Sequence, residues 1–126
     1  HPLELSRLCG KSVTEIQENR ISTVRHLSQE WNVILLLKGA FTVIGSPDAK
    51  IFINPTGNYA LATAGSGDVL SGIIASFLAQ NYDPIIATAI GCYVHSQSAI
   101  KINKPLTAKD IIDVLPSIIQ KNYKNT

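Results

Sequence analysis

Methionine is absent from these 126 residues, tryptophan occurs once, cysteine twice, and charged side chains make up only 16%. Two cysteines are too few for a disulfide scaffold. Cys9 and Cys92 lie far apart without metal-ligand spacing and read as buried thiols of a reducing compartment. A membrane span needs about 20 unbroken apolar residues. The longest apolar stretches, Val69 to Tyr82 and Ile85 to Ile100, are interrupted by Ser71, Ser76, Gln80, His95 and Gln97, so buried helices are expected and no membrane partner. The opening His1-Pro2-Leu3-Glu4-Leu5 has no charged region followed by an apolar one; no signal peptide is legible, and the cytoplasm is the expected location. Eleven Lys plus Arg against nine Asp plus Glu leave a formal charge of +2 without clusters, which disfavours nucleic acid as a partner because that would need a basic patch.

What is present is apolar, 45% of the residues. The length suits one domain, and chains of this size bury roughly two-thirds of their unfolded surface without disulfides or metals. Ser12, with Glu15 three residues later, forms a capping box that predicts a helix over Val13 to Glu30, with Ile16, Arg20, Val24 and Leu27 down one face. Val33 to Leu37 is a continuous apolar run, which predicts a strand covered on both faces, the habit of parallel sheets in α/β proteins. Phe41 to Ile44 and Ile51 to Ile53, separated by Gly45-Ser46-Pro47-Asp48, predict a hairpin. Asn54 to Gly67 reads as a long ordered loop, the kind that usually carries function. Beyond it, Val69, Ile73 and Phe77 with Leu70, Ile74 and Leu78 recur at helical spacing while Ser71, Gly72, Ala75, Ser76 and Ala79 stay small, which predicts a helix packed on nearly all sides. Another helix is expected from Pro84 to about Lys101. A last one follows Thr107 as N-cap, with Ile111, Ile112, Leu115 and Ile118 inward and Pro116 perturbing its later turns.

The segment richest in chemistry is Thr63-Ala64-Gly65-Ser66-Gly67-Asp68, directly before an apolar helix. Glycines let the backbone turn so that successive amides face one cavity, and the first helical turn adds unpaired donors, together an anion hole. The plainer reading is a glycine-rich helix start with Asp68 favourably placed against the dipole. Asp68 is the only charged residue between Lys50 and Asp83. Helix N-terminal donors favour its ionised form, so it suits a general base that deprotonates a hydroxyl while the hole holds a transferring phosphoryl group. Lys38-Gly39-Ala40-Phe41-Thr42 adds a cation, a flexible turn and a hydroxyl at an expected sheet edge, or is an ordinary strand-end turn.

These residues match a family. Asn54-Pro55-Thr56-Gly57-Asn58, followed by Ala62 through Ala75, resembles the signature of the ribokinase-like ADP/ATP-dependent NAD(P)H-hydrate dehydratases. His1-Pro2-Leu3-Glu4 is similar to the family's His-Pro-Gly-Glu segment, Lys38-Gly39-Ala40 with Thr42 to its Lys-Gly-Ala-x-Thr segment, and Leu106-Thr107-Ala108-Lys109-Asp110 to its C-terminal helix start. The order is kept along essentially the whole chain. The resemblance implies an α/β chain, the C-terminal nucleotide-binding portion of a three-layer α-β-α ribokinase-like fold, residues 1–126 forming one such portion. It implies that ADP or ATP phosphorylates the hydroxyl of a hydrated nicotinamide ring, after which phosphate leaves and NADH or NADPH is restored. Asp68 would activate that hydroxyl and contact substrate, and His1 would contact the hydrated dinucleotide. Lys38, Gly39, Ala40, Phe41 and Thr42, with Asn58, Ala64, Gly65, Ser66 and Gly67, would hold the nucleotide. Mg2+ is the expected counter-ion, with no carboxylate cluster marking its ligands.

The chain departs from the family at three places. Asn58-Tyr59-Ala60-Leu61-Ala62 stands where the family has Asn-Pro-Gly-Met-Ala, and Leu3 replaces the glycine after His-Pro. A complete ribokinase-like domain is about twice this length, as larger α/β units are. A chain opening on His1 is therefore expected to be a segment of a longer polypeptide, weak or inactive alone, and to associate with the missing half or with further copies. Two rival classes stay open: a ribokinase-like kinase acting on a vitamin precursor or sugar, and a non-catalytic nucleotide-binding or assembly module. The choice of ADP or ATP depends on pocket shape. His95 reads as a polar residue satisfied at a packed helix surface or as catalytic, Tyr59 as a stacking or packing ring, His26 as solvent-facing, and Lys101, Lys104 and Lys109 as a solvated face.

Overall fold

The computed structural model describes residues 1–57, 59–102 and 106–123, with the backbone alone for 121–123. The chain forms two compact units, residues 1–55 and the segment from Thr56 onward.

The first unit begins with a helix that the sequence reading did not include, α1 (Pro2–Cys9). Its origin is local. His1 caps it, Pro2 sits in the first turn, and Glu4 completes a capping box, while Gly10 in the left-handed region (φ 73°) stops it. The expected helix over Val13 to Glu30 is instead two, α2 (Val13–Glu18), capped by Ser12 and Glu15 as expected, and α3 (Arg20–Glu30). The break falls at Asn19, whose φ of −128° and ψ of 38° lie outside the helical region. Its amide donates to the Glu15 and Ile16 carbonyls and its side-chain nitrogen donates again to Glu15, which satisfies carbonyls left open by the interruption.

Strands β1 (Leu35–Leu37), β2 (Thr42–Gly45) and β3 (Ile51–Asn54) follow, in the order β1-β2-β3. Both pairings are antiparallel, with Leu37 opposite Val43 and Ile44 opposite Phe52. The parallel sheet inferred from the Val33 to Leu37 run is therefore corrected. Short connections let consecutive strands pair antiparallel, whereas a parallel pair requires a long crossover. The run is also less covered than expected, since Val33 is exposed and Leu35 and Leu36 are half-buried. The β2–β3 hairpin agrees with the sequence reading. Leu37 and Val43 pack with Val24 and Leu27 of α3, with Leu5 of α1 and with Ile16 of α2 to make the core of this unit.

In the second unit, a 3₁₀ turn (Tyr59–Leu61) interrupts the long loop, and three helices follow: α4 (Ser66–Ala79), α5 (Pro84–Ile102) and α6 (Ala108–Tyr123). Ile73 and Phe77 of α4 pack with Ala87 and Val94 of α5 and Ile118 of α6. Ala60 and Leu61 of the 3₁₀ turn pack against Ala99, Leu106 and Ile111. That contact gives the loop an apolar anchor. Two expectations are corrected here. α4 is not packed on nearly all sides, because Ser71, Gly72, Ala75, Ser76 and Ala79 are exposed and only one stripe is buried. Ile112 is 53% exposed rather than inward, being only one residue from buried Ile111 and so about 100° around the helix. Thr107 caps α6 as expected, its hydroxyl accepting from the Asp110 amide while Asp110 accepts from the Thr107 amide and hydroxyl. Pro116 lies inside α6, and the helix continues through it. Cys9 and Cys92 are not joined in a disulfide. Cys9 is half-buried rather than buried, at the margin of the first core, and no helix among the described residues is long and apolar enough to cross a membrane.

Gly45 faces α3 so closely that a Cβ there would lie 2.7 Å from Val24 Cγ1 and 3.2 Å from the Val24 carbonyl oxygen. Gly45→Ala is expected to destabilise the protein by about 1–3 kcal/mol through overpacking, measured from the denaturant midpoint. In the β2–β3 turn, hydrogen bonds from Lys50 and then from Ser46 hold the Asp48 carboxyl down from 3.8 to about 2. Because the folded value is depressed, the contribution of this group is complete above 3.8 and disappears as pH falls through about 2. An NMR titration of Asp48 is expected to show that low midpoint, and Lys50→Ala to raise it.

Candidate functional site

Gly65 has φ of 80° and is the N-cap of α4. A side chain there would be strained by its left-handed backbone, and its Cβ would lie 3.2 Å from Ala108 Cβ. The anion hole is narrower than the sequence suggested. The Ser66 amide donates to the Thr63 carbonyl at 3.2 Å, and the Val69 amide to the Gly65 carbonyl at 3.1 Å. No side chain caps the helix. Among the described residues this leaves the Gly67 and Asp68 amides as the unspent donors of the first turn. The Asp68 side chain is exposed beside them. A carboxylate able to take a proton thus adjoins two donors suited to anionic oxygen.

Ser66 is buried, and its partner is His95 of α5, also buried at 6% exposure. His95 Nε2 lies 3.0 Å from Ser66 Oγ and 3.0 Å from the Ser66 carbonyl oxygen. A carbonyl can only accept, so Nε2 carries the hydrogen and donates. His95 is therefore a satisfied residue at a packed helix surface, as the plainer reading held, and what it satisfies is the glycine-rich loop itself.

In the first unit, Lys38 to Phe41 form the β1–β2 connection. Arg20, the first residue of α3, reaches this turn: its Nη2 donates to the carbonyls of Leu37 (2.9 Å), Phe41 (3.1 Å) and Lys38 (3.2 Å), and its Nη1 donates to Gln17. Burial lowers its pKa from the ordinary arginine value, while the guanidinium stays charged. Gly39 was expected to supply flexibility. Its backbone is not in the left-handed region, and a Cβ there would lie 2.7 Å from Arg20 Nη2, so the glycine is needed for close approach. Thr42 is buried, its hydroxyl donating to the Gly39 carbonyl at 3.3 Å. Lys38 is half-buried, Gly39 and Ala40 are exposed, and the Phe41 ring is 61% exposed.

The remaining candidates divide. His1 is exposed, and its Nδ1 accepts from the Leu3 amide at 3.3 Å as the cap of α1. Ala64 is exposed, Tyr59 is 90% exposed and free of the core, and Asn58 and Lys104 lie outside the described residues. His26 faces solvent beside Glu30, Lys101 donates to Ser117, and Lys109 pairs with Asp113. An open cleft of about 370 Å³ lined by Lys11, Glu15, Asn19, Ser22, Thr23 and His26 contains none of the expected site residues. Sequence reasoning missed the role of Arg20, although its signal was present: an arginine among Ile16, Val24 and Leu27 on the inward stripe of a helix must reach a polar partner.

A family profile described as NAD(P)H-hydrate dehydratase matches residues 1–121. The chain is 43% identical over 125 residues to a bifunctional NAD(P)H-hydrate repair enzyme of Moorella thermoacetica, covering 95% of this chain and 24% of that protein. It is 43% identical over 99 residues to the ADP-dependent (S)-NAD(P)H-hydrate dehydratase of Neisseria meningitidis, covering 79% of this chain and 33% of that one. The ADP/ATP-dependent NAD(P)H-hydrate dehydratase of Bacillus subtilis, co-crystallized with ATP/Mg2+, superposes with a TM-score of 0.92 at 34% identity, over 96% of this chain and 46% of its own. The chain thus spans less than half the length of these relatives. Fold and glycine-rich loop place it in the α/β, ribokinase-like class. Within that class it belongs to the NAD(P)H-hydrate dehydratase family.

Removing the imidazole leaves the buried Ser66 hydroxyl without its partner. His95→Ala is expected to cost about 1–3 kcal/mol of stability, the penalty of an unsatisfied buried polar group, read from thermal or denaturant unfolding.

Proposed function

We propose that this chain supplies the nucleotide-binding portion, and the catalytic carboxylate, of an enzyme that repairs hydrated NADH and NADPH at the expense of ADP or ATP. The observation that carries the reading is the exposed Asp68 carboxylate beside the unspent Gly67 and Asp68 amides at the start of α4. Membership of the dehydratase family and the likeness to a relative crystallized with ATP/Mg2+ support it.

Asp68 takes the proton from the hydroxyl of the hydrated nicotinamide ring. The freed oxygen attacks the terminal phosphorus of the nucleotide, whose bridging oxygen leaves with the shortened nucleotide. The ring carbon–oxygen bond then breaks with phosphate as the leaving group. Loss of a proton from the neighbouring ring carbon restores the double bond of the reduced nicotinamide. The Gly67 and Asp68 amides stabilise charge on the transferring oxygens. Gly65 and His95-bound Ser66 fix the loop that carries them, with Ala64 and Asn58 in the same nucleotide-holding segment. Lys38, Gly39, Ala40, Phe41 and Thr42 hold the nucleotide, and His1 contacts the hydrated dinucleotide. When bound to the nucleotide phosphates, magnesium would neutralise their charge. The described residues contain no group of three metal-ligating side chains, so no residue is assigned to the ion and no step is routed through it. A reducing cytoplasm suits two thiols that form no disulfide. The low share of charged residues supports assembly into homo-oligomers.

The test uses the complete protein containing this chain, with hydrated NADH and ADP or ATP. Asp68→Asn is expected to lower turnover by about 10²- to 10⁴-fold, the usual contribution of a general base, while nucleotide binding persists. Restored absorbance of the reduced nicotinamide and released orthophosphate are the paired readouts. Accumulation of a stable phosphate ester would make the protein a kinase, and unchanged turnover in Asp68→Asn would remove Asp68 from the reaction.

A further inference from the structure

Peptide groups are planar and, among the described residues, trans, so each N–H points opposite to the carbonyl of its peptide plane. The carbonyls of Leu37 and Lys38 converge on Arg20 Nη2 at 2.9 and 3.2 Å. The amides of Lys38 and Gly39, which share those peptide planes, therefore point away from the guanidinium. The Phe41 carbonyl closes the turn on the same nitrogen at 3.1 Å. Two N–H bonds serve three oxygens, and Nη1 is held by Gln17, so the guanidinium plane is fixed from both ends. Gly39 has no side chain to push it away, because a Cβ there would approach Nη2 to 2.7 Å.

We propose that Arg20 is the positioning residue of the Lys38–Phe41 turn: by gathering its carbonyls on one side, it presents the Lys38 and Gly39 amides, with the Lys38 ammonium, to the phosphates of an adenine nucleotide. This rests on the assignment of that turn to the nucleotide. Arg20 acts from behind the turn and touches no ligand. Its planar fork, anchored at one nitrogen and bonding through the other, is a geometry an ammonium cannot copy.

The experiment measures ADP and ATP binding by calorimetry, and steady-state KM for nucleotide and for hydrated NADH, in the complete protein. Its variants are Arg20→Ala, Arg20→Lys and Lys38→Ala. Arg20→Ala is expected to weaken nucleotide binding about tenfold or more, the loss of bonds from a charged donor. KM for hydrated NADH should stay within about twofold of the parent, since only one ligand's binding is altered. Free guanidinium in solution should recover part of the loss, and Arg20→Lys, which keeps the charge without the second nitrogen, should recover only part as well. Arg20→Lys alone decides the matter if Arg20→Ala does not fold. Unchanged nucleotide binding in both Arg20 variants, with weakened binding in Lys38→Ala, overturns the role of Arg20 and leaves the turn as nucleotide site. Unchanged binding in all three variants overturns the assignment of the turn and the proposal with it. Equal losses for nucleotide and hydrated NADH reduce Arg20 to a general structural residue and likewise overturn it.

Discussion

Backbone polar groups at the ends of strands and helices must find partners before the chain can bury the side chains next to them. Two basic side chains meet that requirement here, one in each unit. Arg20 gathers three carbonyls where β1 turns into β2, and His95 donates to the carbonyl and hydroxyl of Ser66 where the glycine-rich loop becomes α4. Each lets a segment with little apolar content hold one shape. The segments so held are the two to which the proposed function assigns the nucleotide.

The division of labour around the glycine-rich loop follows from which amides are already used. Ser66 and Val69 donate to carbonyls of their own loop, which tightens the turn and withdraws those amides from any ligand. Gly67 and Asp68 are left, and the exposed Asp68 carboxylate sits among them. A glycine-rich loop is thus less a cradle of every amide than a selection of two. The apolar anchor of the preceding 3₁₀ turn, Ala60 and Leu61 against Ala99, Leu106 and Ile111, fastens the loop from its other end.

Glycine serves opposite purposes at neighbouring landmarks. Gly65 is required by its left-handed backbone, whereas Gly39 and Gly45 have ordinary backbones and are required by what approaches them, a guanidinium in one case and Val24 in the other. The Lys38-Gly39-Ala40 and Gly65-Ser66-Gly67-Asp68 segments both lie within the residues that match the family profile. At Gly39 and Gly45 even the single Cβ of alanine would approach a neighbouring side chain to 2.7 Å.

Much of the fold was legible locally. The capping box at Ser12, the N-cap at Thr107, the Ser46 to Asp48 turn and the start of α5 at Pro84 are interactions within a few residues, so pattern alone determined them. Asp68, Gly65 and Lys38 could be singled out for the same reason, because their residue types are unusual where they stand. What the sequence did not determine was the interruption at Asn19, the antiparallel sense of the sheet, the exposure of one side of α4, and the partners of Arg20 and His95. Those partners lie far along the chain: Arg20 meets carbonyls beyond the end of its own helix, and His95 meets a loop nearly thirty positions earlier. Periodicity reports which side chains share a face, but only the packed chain decides what that face meets, and that meeting turned an apolar helix stripe and a buried histidine into supports of the candidate site.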